Sequence, residues 1–247
     1  MSAAPSPLGA LRLALLLLAA ALPAVSQAGT REDLLQAADP DLPEPARMAA
    51  FERLVQGGTT DLSVLGALAS DTKADSRQRW VAVRALGRVQ GDRAEQILVG
   101  LIADPEPAMR AAAVQALGDL GQRRHAPRAT ALLDDPAIIV RASAAAALCQ
   151  IGDEAAVAAL SEALFARDSY YRGSSLWVRR HYVEAIGCIG RRGAVPALLR
   201  ALDDNDPAVS EASLAALAKV AGFDYAEGRS PQEAKDAWRR WAQSQVK

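Results

Sequence analysis

The sequence predicts an all-α protein, a solenoid of stacked helical pairs, and three observations predict it. Hydrophobic residues make up 51% of the 247 residues but aromatic ones only 4%. The apolar content is mostly Ala, Leu and Val; Ala and Leu rank highest in helix propensity. No stretch has the β-branched and aromatic character of a strand run. A period near 31 residues then runs along the chain, each unit ending in a Gly, and in the third unit Pro107 near the helix start and Gly121 after its end follow the usual asymmetry of helix termini.

The period shows in three columns. Leu54, Leu86, Leu117, Leu148, Ile186 and Leu217 form an apolar anchor, spaced by 31 or 32 residues except for one step of 38. Arg47, Arg79, Arg110, Arg141 and Arg179 stand seven residues upstream, with Ser210 breaking the column. Gly58, Gly91, Gly121, Gly152, Gly190 and Gly222 follow four or five residues downstream. Each unit reads as two helices. In the third, Gln96 to Ala103 is the first, Asp104-Pro105 the turn, and Pro107 to Leu120 the second. Met109, Ala113, Leu117 and Leu120 give that second helix one apolar face. Neither helix shields its apolar face alone, so neighbouring units share an elongated core.

Taken in order, residues 1–28 read as a secretory signal peptide. Arg12 precedes the Leu/Ala run from Leu13 to Leu22, Pro23 breaks it, and the small residues Ala24, Ser26 and Ala28 follow. That is the charged start, short apolar core and small-residue cleavage site of an export signal. The cut is expected after Ala28, or alternatively after Ser26. The run falls well short of the roughly 20 residues a membrane span needs, so no stable anchor remains after cleavage. The repeat region covers 29–222, in units at about 31–58, 59–91, 92–121, 122–152, 153–190 and 191–222. Residues 223–247 leave the period. Ser230-Pro231-Gln232-Glu233 there offers an N-cap and capping-box Glu, and Trp238 and Trp241 suit a helix that caps the last repeat.

The pattern Asp-Pro-x-x-x-Val-Arg followed by Ala-Leu-Gly-x-Ile-Gly resembles bacterial HEAT repeats of the phycobilisome-lyase-like type. It stands as Asp135-Pro136 to Arg141 with Leu148 to Gly152, and as Asp104-Pro105 to Arg110 with Leu117 to Gly121. The resemblance covers about residues 31–222 and implies a HEAT-like superhelix whose second helices line the concave face. Such repeats serve many roles, so the resemblance fixes fold rather than function. A related HEAT family binds two irons through repeated His-Glu pairs; this chain has only His125 and His181, neither followed by Glu. No nucleophile elbow, P-loop or Cys-x-x-Cys is present either. No cofactor and no metal are expected.

The arginine column lies in the first helical turn, where the helix dipole disfavours a cation by about 0.3–1 kcal/mol. A carboxylate must offset that repeatedly, and Asp104, Asp135 and Asp204 in the turns are the candidates. Arg47, Arg79, Arg110, Arg141 and Arg179 therefore read as a structural ladder between units, Arg being suited to fixed carboxylate pairing. One and five residues after each arginine, positions four apart share a helix side: Met48/Glu52, Trp80/Arg84, Ala111/Gln115, Ala142/Ala146, Arg180/Glu184 and, at the end, Glu211/Ala215. This stripe is a candidate contact face.

The fifth unit is longer by seven residues, inserted between its helices at 166–175, and it lacks the Asp-Pro turn. Tyr170, Tyr171, Arg172, Trp177, Arg180, His181 and Tyr182 crowd this segment and the helix start after it. Tyr, Trp and Arg are the residues that dominate binding hot spots. The candidate partner-binding set is thus Tyr170, Tyr171, Arg172, Trp177, Arg180, His181, Glu184, Trp80 and Arg84.

Removing residues 1–28 lowers the net charge only from −1 to −2, unlike the basic excess of a nucleic-acid binder. Cys149 and Cys188 meet an oxidising compartment if the chain is exported, and a bridge between them stays open. Packed helices sit about 8–10 Å apart, bridged Cα atoms lie within about 7 Å, and the two positions differ by one residue, about 100° around a helix. Two separate thiols are expected. The function expected is an exported, periplasmic or secreted, non-catalytic scaffold that binds a protein or peptide through the concave face and the 166–175 loop. The alternative is an accessory subunit or enzyme that uses the His181 region.

Overall fold

The computed structural model describes residues 29–58, 62–89, 91–225 and 227–245; the expected signal peptide at 1–28 lies outside them. The architecture is an α-solenoid of helical hairpins. Its helices in chain order are α1 (29–38), α2 (Glu44–Gly57), α3 (Leu62–Ser70), α4 (Ser76–Arg88), α5 (Asp92–Leu101), α6 (Pro107–Asp119), α7 (Ala126–Ala131), α8 (Ile138–Ile151), α9 (Glu154–Phe165), α10 (Val178–Ile189), α11 (Val195–Ala201), α12 (Pro207–Ala221) and α13 (Pro231–Gln245). The chain divides into two compact units, up to Ile97 and from Leu98 onward.

The first unit packs α4 against α2 and α3. Leu54, Leu65 and Leu86 are wholly buried there. Arg53 ties α2 to α1 by donating to Asp33 at 2.7 Å and to Gln36 at 2.8 Å. Asp75 caps α4 by accepting from the backbone N–H groups of Arg77 and Gln78, both at 3.0 Å, which satisfies donors that a helix start leaves open.

In the second unit the second helices α6, α8, α10 and α12 pack in succession, each against the next. The apolar anchor lies in the core throughout the chain, none of its six residues being more than 1% exposed. Burying each such side chain stabilises by roughly 1.5–3 kcal/mol. Pro107 and Pro207 open α6 and α12, while Gly190 and Gly222 close α10 and α12 in the left-handed region at φ 69° and 80°. At the end of the chain Trp238 is fully buried, stacked on Phe223 and edge-on to Tyr225 and Trp241. Ser230 and Glu233 form the reciprocal capping box of α13, with Ser230 N donating to Glu233 at 2.8 Å.

The all-α solenoid stands, with one local addition and one correction. A small antiparallel ribbon, β1 (Tyr170–Tyr171) with β2 (Ser174–Ser175), interrupts the all-helical pattern inside the 166–175 insertion. Arg172 and Gly173 make its two-residue turn at φ 51° and 81°, the doubly positive geometry whose twist suits a tight hairpin. Cys149 and Cys188 are also bridged, with Cα atoms 5.1 Å apart. In stacked, similarly oriented helices the residues that meet come from opposite faces, so equivalent positions are not the ones that touch. A Cβ on Gly118 would lie 2.6 Å from Ala147 Cα, and one on Gly187 would lie 2.9 Å from Ala216 Cα. Cys149 occupies the column of Gly118, so its counterpart in the next unit is Ala185, and Cys188 stands one turn beyond Ala185 on the same helix face. The backbones come far closer at this column than an average helix pair does.

Candidate partner-binding surface

The arginine column sets what surrounds the candidate site. Arg79 is buried in α4 and donates through Nε and Nη2 to the carbonyl of Ala69, near the end of α3. Arg110 donates to the Asp104 carbonyl at 2.9 Å and grips Asp135 of the next hairpin with two bonds of 2.8 Å. Arg179 is wholly buried; it donates to the Leu164 carbonyl at 2.9 Å and to both carboxylate oxygens of Asp204, one at 3.0 Å. The guanidinium thus turns away from its own helix start to the carbonyl end of the preceding helix, where positive charge is favoured. Arg47 is half-buried in α2. Ser210 stands in the same column and donates to the Leu202 carbonyl at 2.8 Å. It keeps the carbonyl contact and drops the charge, since α13 rather than another Asp-bearing turn comes next.

Arg141 differs from Arg110 and Arg179. It donates to the Asp135 carbonyl at 3.2 Å; toward the next hairpin it meets the Tyr182 hydroxyl, the Asp168 carbonyl at 3.5 Å and the Asp168 carboxylate at 3.7 Å, the last on a side chain 61% exposed. Its buried Nε, like that of Arg47, has no hydrogen-bond partner among the described residues.

Electrostatics reflect these contacts. The hydrogen bonds from Arg110 hold the Asp135 carboxyl below its ordinary value. Burial pushes Asp204 up, but the Arg179 hydrogen bond, the Asp206 backbone N–H and the nearby positive charge outweigh it, and its value is also lowered. Burial raises the Tyr182 hydroxyl.

The sequence-predicted site residues fall into three groups. On the ribbon, Tyr170 lies under the Arg179 guanidinium at 4.3 Å, Tyr171 is 62% exposed, and Arg172 lies 5.3 Å from the Tyr171 ring. At the start of α10, Trp177 is 49% exposed and meets the His181 ring edge-on at 5.2 Å. Glu184 accepts from Arg180 at 2.7 Å and lies 3.4 Å from His181 Nδ1; its hydrogen bond raises the Arg180 value. Trp80, with Arg84 at 5.2 Å over its ring, is exposed on α4 in the first unit.

The ribbon and the α10 face border different clefts. One, of about 560 Å³, runs beside Tyr170, Ser174, Ser175 and Arg179 to the turn at Asp203–Pro207. The other, of about 530 Å³, lies between α10 and α12, with Arg180, Glu184, Glu211 and Lys219 above a floor of Gly187, Ala212 and Ala215. They share no residue. Lys219 lies outside the predicted set, although it extends the stripe of Glu211 and Ala215 by four more residues. The stripe itself is uneven: Ala111 and Ala142 are buried, whereas Met48, Trp80, Arg180 and Glu211 are exposed. Among the described residues no helix is long and apolar enough to cross a membrane.

Comparison with solved structures gives solenoids. Kap121p is similar over 78% of this chain and 25% of its own, at 18% identity and TM-score 0.55; this chain spans about a quarter of that protein. A designed armadillo repeat protein in complex with the peptide (KR)4 is similar over 76% of this chain and 98% of its own, at 20% identity and TM-score 0.44. Human deoxyhypusine hydroxylase in complex with glycerol is similar over 80% of this chain and 98% of its own, at 19% identity and TM-score 0.36. No curated protein matches the chain. Solenoids of this architecture are generally binding scaffolds, because their repeats build extended surfaces. The family model for HEAT repeats matches residues 62–149, 94–177 and 171–244, which together span most of the sequence and the hairpins described above, and the chain belongs to that family.

Proposed function

We propose that this protein is an exported, non-catalytic scaffold that holds a protein or peptide partner through the insertion of its fifth repeat and the exposed side of α10. The observation that carries this reading is the exposure of Tyr171 and Trp177 in the one repeat whose hairpin is interrupted. Large aromatic side chains cost apolar exposure to water, and they are the residues on which binding energy concentrates.

Export is supported by the sequence pattern of residues 1–28 and by the Cys149–Cys188 bridge, since structural disulfides persist in oxidising compartments. The phycobilisome-lyase-like subtype rests on the Asp-Pro-x-x-x-Val-Arg pattern alone. An enzymatic use of His181 has only the contact with Glu184 behind it, and that pair lies open to solvent.

The test is a crosslinking pull-down from the exported fraction. The native chain is compared with a Tyr171→Ala/Trp177→Ala variant and with one in which the ribbon is deleted. Partner recovery is expected to fall about tenfold or more in both, with unchanged melting of the double variant. Equal recovery from all three chains would remove the assignment. N-terminal sequencing of the exported protein checks the cleavage separately, with Gly29 expected as the first residue.

A further inference from the structure

The ladder and the disulfide have a common explanation. Between the third and fourth repeats Arg110 grips Asp135 with two short bonds, and the side chains are 13% and 6% exposed. Between the fifth and sixth, Arg179 grips Asp204 in the same way, with exposures of 0% and 12%. Between the fourth and fifth repeats the insertion has removed the Asp-Pro turn. Arg141 touches the neutral Tyr182 hydroxyl of α10, reaches an exposed Asp168 carboxylate at 3.7 Å and the Asp168 carbonyl at 3.5 Å, and its Nε is buried without a partner among the described residues, so no buried carboxylate grips it. This is also the junction that Cys149 and Cys188 cross, from α8 to α10.

We infer that the disulfide replaces the missing ionic link, so that the hold on the insertion-bearing repeat is set by redox state while the neighbouring junctions are not. The covalent bond closes a loop with a sequence separation of 39, which contains α9, the ribbon and most of α10. The close approach of α8 and α10 puts both cysteines within bridging reach. Cys188 is exposed and Cys149 half-buried, so an external thiol has a way in. A small dithiol opens the bridge by exchange. Its thiolate bonds to one cysteine sulfur as the S–S bond breaks and the other cysteine leaves as thiolate; its second thiol then expels the first cysteine. Two electrons and two protons pass, giving two cysteine thiols and the cyclic disulfide of the reagent. This hold is independent of what the insertion binds.

Hydrogen–deuterium exchange of the full chain, air-oxidised and after dithiothreitol, tests the inference. Exchange in residues 154–189 is expected to rise about tenfold or more on reduction, and far less in α6 and in α12, where ionic links remain. A Cys149→Ser/Cys188→Ser variant should show the reduced pattern without reductant and no response to it. Alkylation of the oxidised chain should find no free thiol. Free thiols in the oxidised chain, an unchanged 154–189 segment on reduction, or an equal rise in every repeat would each overturn the proposal. Native protein carries the test even if the variant does not fold.

Discussion

The fourth and fifth repeats are built from the same parts, yet each is joined to the repeat before it by different chemistry. The fourth has the turn Asp135-Pro136, so the Arg110 guanidinium of the third repeat finds a fixed, nearly buried carboxylate. The fifth has the ribbon instead, and Arg141 is left with a solvent-facing one. The column of arginines is therefore only half of a device. Its other half is an Asp held by the turn of the next repeat, where Asp135 also accepts from Ala137 N at 2.8 Å and Asp204 from Asp206 N at 3.0 Å. An insertion that displaces the turn removes the link without touching any arginine.

The largest effects test this contrast directly. Arg179→Ala leaves Asp204 without its buried partner and should lower stability by about 3–5 kcal/mol in chemical denaturation. Arg141→Ala in the oxidised protein removes two long carbonyl bonds, a contact with the neutral Tyr182 hydroxyl and a distant exposed carboxylate, and should lose about 1–2 kcal/mol. Opening the disulfide should lose about 4 kcal/mol on loop entropy alone. Losses that match for Arg141→Ala and Arg179→Ala would erase the distinction between the two junctions.

The close packing of α6 on α8 gives the next effect. Gly118→Ala brings a methyl to 2.6 Å from a backbone atom of Ala147. Overpacking of that kind costs about 1–3 kcal/mol, against which the better helix propensity of Ala returns about 1 kcal/mol. A net loss of about 1–2 kcal/mol is expected in thermal unfolding. At the α8–α10 junction the same column already carries Cys149, so Cys149→Ala should lose the bridge and introduce no clash.

How much of this was legible in the sequence differs by kind of interaction. The apolar anchor was, because a buried stripe needs only the right period, and Leu86, Leu117, Leu148 and Ile186 all lie in the core. The position of the insertion was legible too, from the step of 38 residues. Its ribbon was not: Tyr-Tyr-Arg-Gly-Ser-Ser lacks the Asn-Gly or Asp-Gly that usually marks such a turn. The disulfide was not either, because a repeat period aligns equivalent positions, whereas stacked helices touch through non-equivalent ones. The split of the candidate site over two clefts depends on side-chain directions, which no one-dimensional period carries.

Acid provides a graded test with a smaller effect. Asp135 and Asp204 both titrate below their ordinary value of 3.8 in the folded protein. Each therefore stabilises the fold fully above the unfolded-state value, and that contribution is lost as pH falls through 3.8 toward the lower folded-state value. Below about pH 4 the junctions before the fourth and sixth repeats should loosen, as seen by exchange in α8 and α12. Asp135→Asn together with Asp204→Asn should remove most of the dependence. A pH profile unaffected by the pair would mean that other carboxylates dominate.

The smallest effect separates the two halves of the ladder. Ser210 makes the carbonyl contact alone, donating to Leu202 at 2.8 Å from a buried site. Ser210→Ala leaves that carbonyl without its side-chain donor and should lose about 1 kcal/mol. Because no charge is involved, the loss should be the same at low and high salt and at neutral and acid pH. The loss on Asp204→Asn, by contrast, should shrink as pH falls, since the wild-type carboxylate is then protonated. If Ser210→Ala instead varies with pH as Asp204→Asn does, the carbonyl and carboxylate contacts act as one unit, and the column cannot be divided as Ser210 suggests.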